Sequence, residues 1–445
     1  MVEPNPSTLD ARYHYWRWRI FFITWLAYVG FYLTRKSFAV AKVELAKPEV
    51  MGLGLGEMAW VDIVYAGAYA AGQFVWGMCG DRFGTRRVVL CGMMASVLTG
   101  AVMGASSWVV LMGALFCFQG VCQSTGWAPL SKNICNFFSQ GERGRIMGFW
   151  ATNYAIGGVI ASALAGLAIE WGGSWRYAFW VPAGVLLCIW GLFVRWQRNR
   201  PEDVGLPPIE DYKGEARAVL TGDSKEAEAA EGTWRLIWQV MRNRMVLLLA
   251  GVYFFMKPTR YLILFWSPLY VNQKLGTGAA ESGVLGSLFE LAGPLGVLAG
   301  GFLSDKVFAT RRMPAAIISL FVVAAVLFMF NGLPATAWSM GLGFLFIGFF
   351  LYMPDSLVSA TAAIDFGTRQ GASTASGMIN GFGSIGAMIG VALPGILEGW
   401  LGEGADIWPY VFPILGGTLI VAAVLLLPKW NTLPATAEDK GEKSA

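Results

Sequence analysis

The chain reads IFFITWLAYVGFYLTRKSFAV over residues 20–40. No charge occurs in this stretch before Arg35, and Lys36 follows it directly. An apolar run of this length is typical of a helix buried in lipid. An arginine well inside such a helix costs about 2.5–3.5 kcal/mol on insertion scales. The position of Arg35 therefore indicates that its charge has a function.

The composition indicates that most of the chain lies in a membrane. Of its 445 residues, 56% are hydrophobic and 14% are charged, whereas a soluble chain carries about 25% charged residues. We count twelve apolar stretches of bilayer-spanning length, near residues 18–43, 58–79, 88–106, 108–135, 146–169, 175–195, 243–272, 281–303, 314–331, 337–362, 372–396 and 408–428. The chain is therefore predicted to be an all-α membrane protein with twelve transmembrane helices.

The basic residues predict the orientation. Clusters of Lys and Arg precede span one and follow spans two, four, six, eight and twelve. Because cytoplasmic loops carry an excess of these residues, we expect both termini in the cytoplasm. Lys42 and Lys47 in the first opposite-side loop are the main exception, and Glu44 and Glu49 balance them. Since no cleavable signal or organelle address is visible, we expect a bacterial inner membrane.

Several classes of function lack support in the sequence. The six cysteines lie in or beside spans of the first half and fit apolar packing, not disulfides or zinc. The single histidine, His14, precedes span one and cannot carry protons within the membrane. No nucleophile motif, metal cluster or basic nucleic-acid patch is visible. We therefore expect no enzyme activity, no cofactor and no metal.

A polar segment divides the spans into two sets. Residues 201–235 fit a cytoplasmic linker between an N-terminal half, 1–200, and a C-terminal half, 236–430. Residues 431–445 are polar and predicted to be disordered. The sequence thus predicts six helices in each half.

The two halves repeat each other. GMCGDRFGTRR follows span two and GFLSDKVFATRR follows span eight. Their aspartates, Asp81 and Asp305, are 224 positions apart (305 − 81), and Arg35 and Arg260 are 225 apart (260 − 35). Transporters built from repeats bind substrate where the repeats meet, and arginine binds phosphate bidentately. Two matched arginines predict a phosphate clamp; snorkelling or pairing with a buried acid is the alternative.

Several motifs resemble those of one transporter family. GxxxDRFGTRR is similar to the loop signature of the major facilitator superfamily. Other motifs resemble the organophosphate:phosphate antiporters, which include glycerol-phosphate and hexose-phosphate transporters, the hexose-phosphate sensor and animal sugar-phosphate exchangers. These motifs are ARYHYWRWRI (11–20), FYLTRKSFAVA (31–41), QSTGWAPL (123–130), FFSQGERGRIMGFW (137–150), FWSPLYV (265–271) and INGFGSIGAMIG (379–390). The resemblance covers about residues 11–428 and implies two pseudo-symmetric six-helix halves, the major facilitator fold.

The resemblance also implies the substrate residues. Arg35 and Arg260 match the family's two phosphate-binding arginines. Tyr28 and Tyr32 match cavity tyrosines, and their spacing from Arg35 places all three on one helix face. The further expected contacts are Tyr69, Gln123, Trp127, Asn153, Tyr154, Lys257 and Asn380.

The chain departs from the bacterial glycerol-phosphate transporters at three places. Tyr154 stands where they carry a histidine, Gln73 replaces a lysine, and Lys257 is gained three residues before Arg260. Tyrosine can donate a hydrogen bond to phosphate but cannot take a positive charge. We therefore expect a substrate that is larger than glycerol phosphate or differently shaped.

Acidic residues in the spans have separate interpretations. Glu290 matches a family glutamate, and we expect it to hold a cavity cation, with coupling as a second role. Asp355 either neutralises Lys257 or Arg260 or accepts a coupling proton, since a buried carboxylate favours its protonated form unless paired. Asp62, near the outer end of span two, is expected at the surface or in a gate.

The expected function is exchange of a phosphate ester for inorganic phosphate by a monomeric transporter in the lipid bilayer. Sugar phosphate, glycerol phosphate and phosphoglycerate all remain open as the ester. A sensor that signals to a partner kinase and a proton-coupled organic-anion symporter are the alternatives. The resemblance assigns gating contacts between helix ends to Asp81, Arg82, Arg86 and Asp305, with plain positive-inside charge as the alternative.

Overall fold

The computed structural model describes residues 6–213, 242–308, 311–365 and 369–431. Within these ranges twelve long helices follow one another, and α4, α5 and α8 each consist of two segments. Their bounds are α1 Pro6–Leu45, α2 Leu55–Phe83, α3 Thr85–Ala105, α4 Val109–Gln123 and Trp127–Phe137, α5 Gln140–Trp150 and Thr152–Gly172, α6 Tyr177–Trp196, α7 Arg244–Leu275, α8 Ala279–Leu291 and Gly293–Phe302, α9 Arg312–Phe330, α10 Ala337–Asp365, α11 Arg369–Leu401 and α12 Trp408–Leu426.

Ten of these helices, α3 to α12, are long and apolar enough to cross a membrane. The other two, α1 and α2, are 40 and 29 residues long. They contain the buried charges Arg35, Lys36, Lys42 and Asp62. The twelve-helix all-α fold predicted from the hydropathy pattern is confirmed.

The chain forms two compact units. Unit one comprises residues 1–53, 60–220 and 278–284, and unit two comprises residues 54–59, 221–277 and 285–445. The predicted division into 1–200, 201–235, 236–430 and 431–445 stays a prediction. Residues 214–241 of the linker region and 432–445 of the tail lie outside the described residues.

In unit one, α1 packs along α5 and α6. The contact with α5 depends on Gly157, where a Cβ atom would lie 3.2 Å from the Cα of Val29 and 3.3 Å from the Cβ of Tyr32. Large side chains such as Phe31 and Trp150 fill the core beside this contact. The close approach fixes the part of α1 that carries the predicted substrate residues.

In unit two, α7 packs along α11 through glycines. A Cβ atom at Gly386 would lie 2.9 Å from the carbonyl carbon of Phe254, and one at Gly390 would lie 2.5 Å from the Cα of Pro258. Small residues let membrane helices approach closely. Glycine on α11 therefore brings that helix against the part of α7 next to Lys257.

The first residues of the predicted linker pack against the start of α1. A short helix spans Ile209–Lys213, and Tyr212 stacks on Tyr13 with ring centroids 4.0 Å apart. The Tyr13 hydroxyl donates a hydrogen bond to the carbonyl of Pro207, and Leu206 packs in the same cluster. This part of the linker is therefore anchored to unit one.

The first segment of α5 begins with a capping box. The main-chain N–H of Ser139 donates to Glu142 Oε1 at 3.1 Å, and Arg17 of α1 forms an ion pair with the same carboxylate. Burial alone would raise the pKa of Glu142, but the Arg17 and Ser139 hydrogen bonds lower that pKa below its ordinary value.

This low pKa predicts a pH effect on stability. Because the folded protein favours the Glu142 carboxylate, the stabilisation is present above the ordinary pKa of 4.5 and is lost as pH falls through the folded-state pKa. We expect about 1 kcal/mol or less, since the pair is partly exposed. Thermal unfolding in detergent at several pH values should show a smaller acid-induced decrease in Tm for Glu142→Gln than for the unmodified protein. Equal decreases would contradict this assignment.

Candidate functional site

The arginine of unit one is buried among neutral groups. Arg35 is 6% exposed, and its guanidinium carbon lies 4.6 Å from the ring centre of Tyr32 and 4.7 Å from that of Tyr69. Its Nε atom donates to Gln123 Oε1 at 3.1 Å. Among the described residues no carboxylate pairs with Arg35, so no anionic side chain offsets its positive charge.

Gln123 holds Arg35 in place. Its Oε1 also accepts a hydrogen bond from the Tyr65 hydroxyl at 2.8 Å, and its Nε2 donates to Thr34 Oγ1 at 2.9 Å. The first segment of α4 ends at Gln123, and the chain turns before Trp127 begins the second segment. The amide therefore lies at a break in α4 and orients the guanidinium; its direct contact with substrate stays a prediction.

Aromatic rings extend this cluster along α1. The ring of Tyr28 lies 5.8 Å from Tyr32, 5.4 Å from Trp127 and 5.7 Å from Trp150, measured between centroids. Trp127 is 37% exposed, whereas Tyr28 is buried. The predicted substrate residues Tyr28, Tyr32 and Trp127 thus lie together in unit one.

Two of the predicted substrate residues in unit one are among the described side chains with unused hydrogen-bonding groups. Arg35 Nη2 and both amide atoms of Asn153 are buried and meet no partner within the described part of the chain. Leaving such groups unsatisfied costs about 1–3 kcal/mol each, and a native structure retains them where strain or a ligand explains them. Their presence in this unit fits a site that receives a polar ligand.

Unit two holds its arginine in a cluster of charges. One carboxylate, Asp355 of α10, accepts from Lys257 Nζ at 3.0 Å through Oδ1 and from Arg260 Nη1 at 2.9 Å through Oδ2. The side chains of Lys257, Arg260 and Asp355 are 11%, 21% and 20% exposed. Of the two roles predicted for Asp355, charge pairing is thus visible as a contact, while proton coupling stays a prediction.

The backbone of α10 fixes the position of Asp355. The Tyr253 hydroxyl donates to its main-chain oxygen at 2.8 Å. Pro354 has no N–H for the carbonyl of Phe350, and Ser319 Oγ donates to that carbonyl instead, at 2.5 Å. Ser319 of α9 therefore satisfies the carbonyl that Pro354 leaves without a helical partner, in the turn just before Asp355.

Both arginines also lie over tyrosine rings. The guanidinium carbon of Arg260 lies 4.5 Å from the ring centre of Tyr352, and that of Arg35 lies 4.6 Å from the ring centre of Tyr32. Lys257 lies 4.7 Å from the ring centre of Tyr253. Cation–π contacts of this kind stabilise a buried charge without neutralising it.

The remaining predicted site residues, two for substrate binding and one as a charge partner, lie in different environments. Tyr154 of α5 is half-buried against the core of unit one, Asn380 of α11 is exposed, and Glu290 of α8 is buried in unit two. Their roles in binding and coupling stay predictions.

Only one of the four predicted gating side chains can be placed. The side chains of Asp81, Arg82 and Asp305 lie outside the described residues. Arg86 donates to the carbonyls of Gln197, at 2.7 Å, and Val194. These carbonyls lie at the C-terminal end of α6. Arg86 therefore connects the start of α3 to the end of α6 in unit one.

A fully buried ion pair joins α1 and α2. Lys42 Nζ donates to Asp62 Oδ2, and both side chains are 0% exposed. The expectation that Asp62 lies at the surface is wrong, as is the loop position expected for Lys42. Because α1 continues to Leu45, Lys42 remains inside unit one and neutralises Asp62.

Three tyrosines that contact residues of the candidate site were not predicted from the sequence. Tyr65 contacts Gln123, Tyr253 contacts Asp355, and Tyr352 contacts Arg260. The sequence offered one signal, since residues four apart share a helix face. Tyr65 precedes Tyr69 by four positions, and Tyr253 precedes Lys257 by four.

Comparison with known proteins identifies the family. A family model described as Major Facilitator Superfamily matches residues 20–387. The chain belongs to this superfamily. A crystal structure of a bacterial homolog of the human lysosomal transporter Spinster shares the facilitator fold, with a TM-score of 0.67 at 13% identity over 93% of this chain and 95% of that one.

Curated relatives of this facilitator confirm the resemblance to organophosphate transporters. A probable hexose phosphate transport protein of Chlamydia pneumoniae is 31% identical, over 98% of this chain and 96% of the relative. A glycerol-3-phosphate transporter of Bacillus subtilis is 30% identical, over 96% and 95%. A membrane sensor protein of Salmonella typhimurium is 29% identical, over 95% and 93%.

Proposed function

We propose that this facilitator exchanges an organic phosphate ester for inorganic phosphate by alternating access. One observation carries the proposal: two arginines at matched repeat positions are each held on a tyrosine ring in a chain similar to phosphate-ester transporters. Arg35 and Arg260 both bind the phosphate group in this proposal, and the ester's organic part contacts the aromatic residues.

The chemistry of the two units supports an anionic substrate. Arg35 Nη2 has a free bonding position among the described residues, and a phosphate oxygen accepts strongly from a guanidinium. The low dielectric of a buried site strengthens that contact. Lys257 adds a third cation, which fits a doubly charged phosphate better than a singly charged anion.

The protein spans the membrane many times. We propose further that this membrane is a bacterial inner membrane, that both termini are cytoplasmic as the basic loops indicate, and that the working unit is a monomer. We propose transport without covalent chemistry on the ester.

Exchange in proteoliposomes tests the proposal. Vesicles preloaded with inorganic phosphate should take up labelled phosphate in a saturable manner, and vesicles without internal phosphate should not. A panel of glucose 6-phosphate, glycerol 3-phosphate and 3-phosphoglycerate should include an ester that competes and is itself exchanged. Absence of exchange in vesicles with correctly folded protein would contradict the proposal.

The sensor relative favours a second candidate, a receptor for phosphate esters. Ester binding seen as a thermal shift, together with no exchange, would support the receptor. The third candidate is a proton-coupled symporter that uses Asp355. Uptake driven by a pH gradient without internal phosphate would support that mechanism.

A further inference from the structure

The two phosphate-binding arginines differ in the charge of their protein partners. Arg35 donates to a neutral amide, Gln123, whereas Arg260 donates to a carboxylate, Asp355, which also accepts from Lys257. The sum of formal charges in the unit-two cluster of Lys257, Arg260 and Asp355 is therefore +1 (two cations and one anion). The sequence repeat does not show this asymmetry, because it places the two arginines at equivalent positions of the two halves.

The carboxylate occupies the groups that a phosphate would use. Its two oxygens accept from Lys257 at 3.0 Å and from Arg260 at 2.9 Å, an arrangement that two oxygens of a phosphate can reproduce. From this geometry, and resting on the proposed function, we infer that Asp355 is an internal competitor of the substrate phosphate. The phosphate displaces the Asp355 carboxylate from Lys257 and Arg260 when it binds, and the carboxylate returns to them when the phosphate leaves.

This competition sets the affinity and the rate of release. A cluster with two uncompensated cations would bind a dianion tightly and release it slowly, whereas a carrier must bind weakly enough to let its substrate leave. Asp355 lowers the affinity at unit two. Arg35, whose partner Gln123 is neutral, keeps its full charge and contributes most of the attraction.

The charge of Asp355 can be removed without breaking the contacts that hold α10 beside α7. The Tyr253 hydroxyl donates to the main-chain oxygen of Asp355, and this hydrogen bond does not depend on the side-chain charge. Arg260 also remains in contact with the ring of Tyr352. Asp355→Asn therefore removes the negative charge and keeps the contacts that hold α10 beside α7.

The experiment measures phosphate affinity and exchange rate in matched variants. Asp355→Asn should bind inorganic phosphate about tenfold more tightly by calorimetry in detergent, and its maximal exchange rate in proteoliposomes should fall. Gln123→Glu gives Arg35 the kind of partner that Arg260 already has, so it should bind phosphate about tenfold more weakly. Glu44→Gln removes a charge from a partly exposed pair with Lys47 and should change neither quantity.

Each result has a definite meaning. An Asp355→Asn variant that folds and binds phosphate no more tightly than the unmodified protein overturns the inference and leaves the proposed function intact. If that variant cannot be purified, Asp355→Ser decides in the same measurement, and an affinity no higher than that of the unmodified protein overturns the inference. If the unmodified protein binds neither phosphate nor any ester, the proposed function fails first and this inference fails with it.

Discussion

Arg35→Ala should abolish phosphate exchange, with a loss on the order of a hundredfold or more in the initial rate. In the proposed function the guanidinium donates charge-assisted hydrogen bonds to phosphate, and such bonds contribute about 1.5–3 kcal/mol each. Its loss should leave the surroundings intact, since Gln123 keeps its bonds to Tyr65 and Thr34. Labelled-phosphate exchange in proteoliposomes with equal amounts of inserted protein measures the effect.

Three further variants sharpen this test. Arg35→Lys keeps the charge but not the planar fork and should retain about a tenth of the rate. Arg260→Ala should be less damaging than Arg35→Ala, because Asp355 already offsets part of the charge at unit two. Lys47→Ala, at a partly exposed lysine just beyond α1, should exchange normally. Normal exchange by Arg35→Ala would show that this arginine does not bind the substrate.

The second large effect concerns stability. Lys42→Met should lower the free energy of unfolding by about 3–5 kcal/mol, because it leaves the Asp62 carboxylate buried without a partner. The loss should appear as a lower Tm in detergent and a lower yield of folded protein. A Tm equal to that of the unmodified protein would mean that Asp62 finds another partner or is protonated at little cost.

The double variant Lys42→Met with Asp62→Leu provides the control. Replacing both partners of a buried ion pair with apolar residues of similar volume is often neutral or stabilising. The double variant should therefore recover most of the Tm that Lys42→Met loses. Exchange activity in the double variant would show that the pair serves the fold and not the transport cycle.

The sequence predicted the fold well because lipid imposes a simple rule. A helix that spans a bilayer needs about twenty mostly apolar residues, and the hydropathy pattern located all twelve helices, including α1 and α2 with their buried charges. The repeat added the equivalence of Arg35 and Arg260, since spacing is a property of the chain. Spacing also placed Tyr28, Tyr32 and Arg35 on one face of α1, and their ring contacts agree with it.

Contacts between residues that are far apart in the sequence could not be predicted from the sequence alone. Lys42 and Asp62 are twenty positions apart on different helices, and only the length of α1 shows that Lys42 is inside the unit. The partner of Arg35 depends on where α4 breaks, and a run such as QSTG does not fix that position. For Asp355 the sequence left pairing and proton coupling open, because both need a buried carboxylate and differ only in its neighbours.

The buried pair of α1 and α2 also bears on how the chain enters the membrane. A lysine or an aspartate alone costs about 2.5–3.5 kcal/mol at the centre of an inserting helix, and α1 and α2 are the two long helices outside the ten that are apolar enough by themselves. The contact between Lys42 and Asp62 offsets part of that cost, because each of these two charges then has a partner inside the unit. We therefore expect α1 to remain at the lateral gate of the translocon until α2 has been synthesised. The two helices should then enter the lipid together as a hairpin.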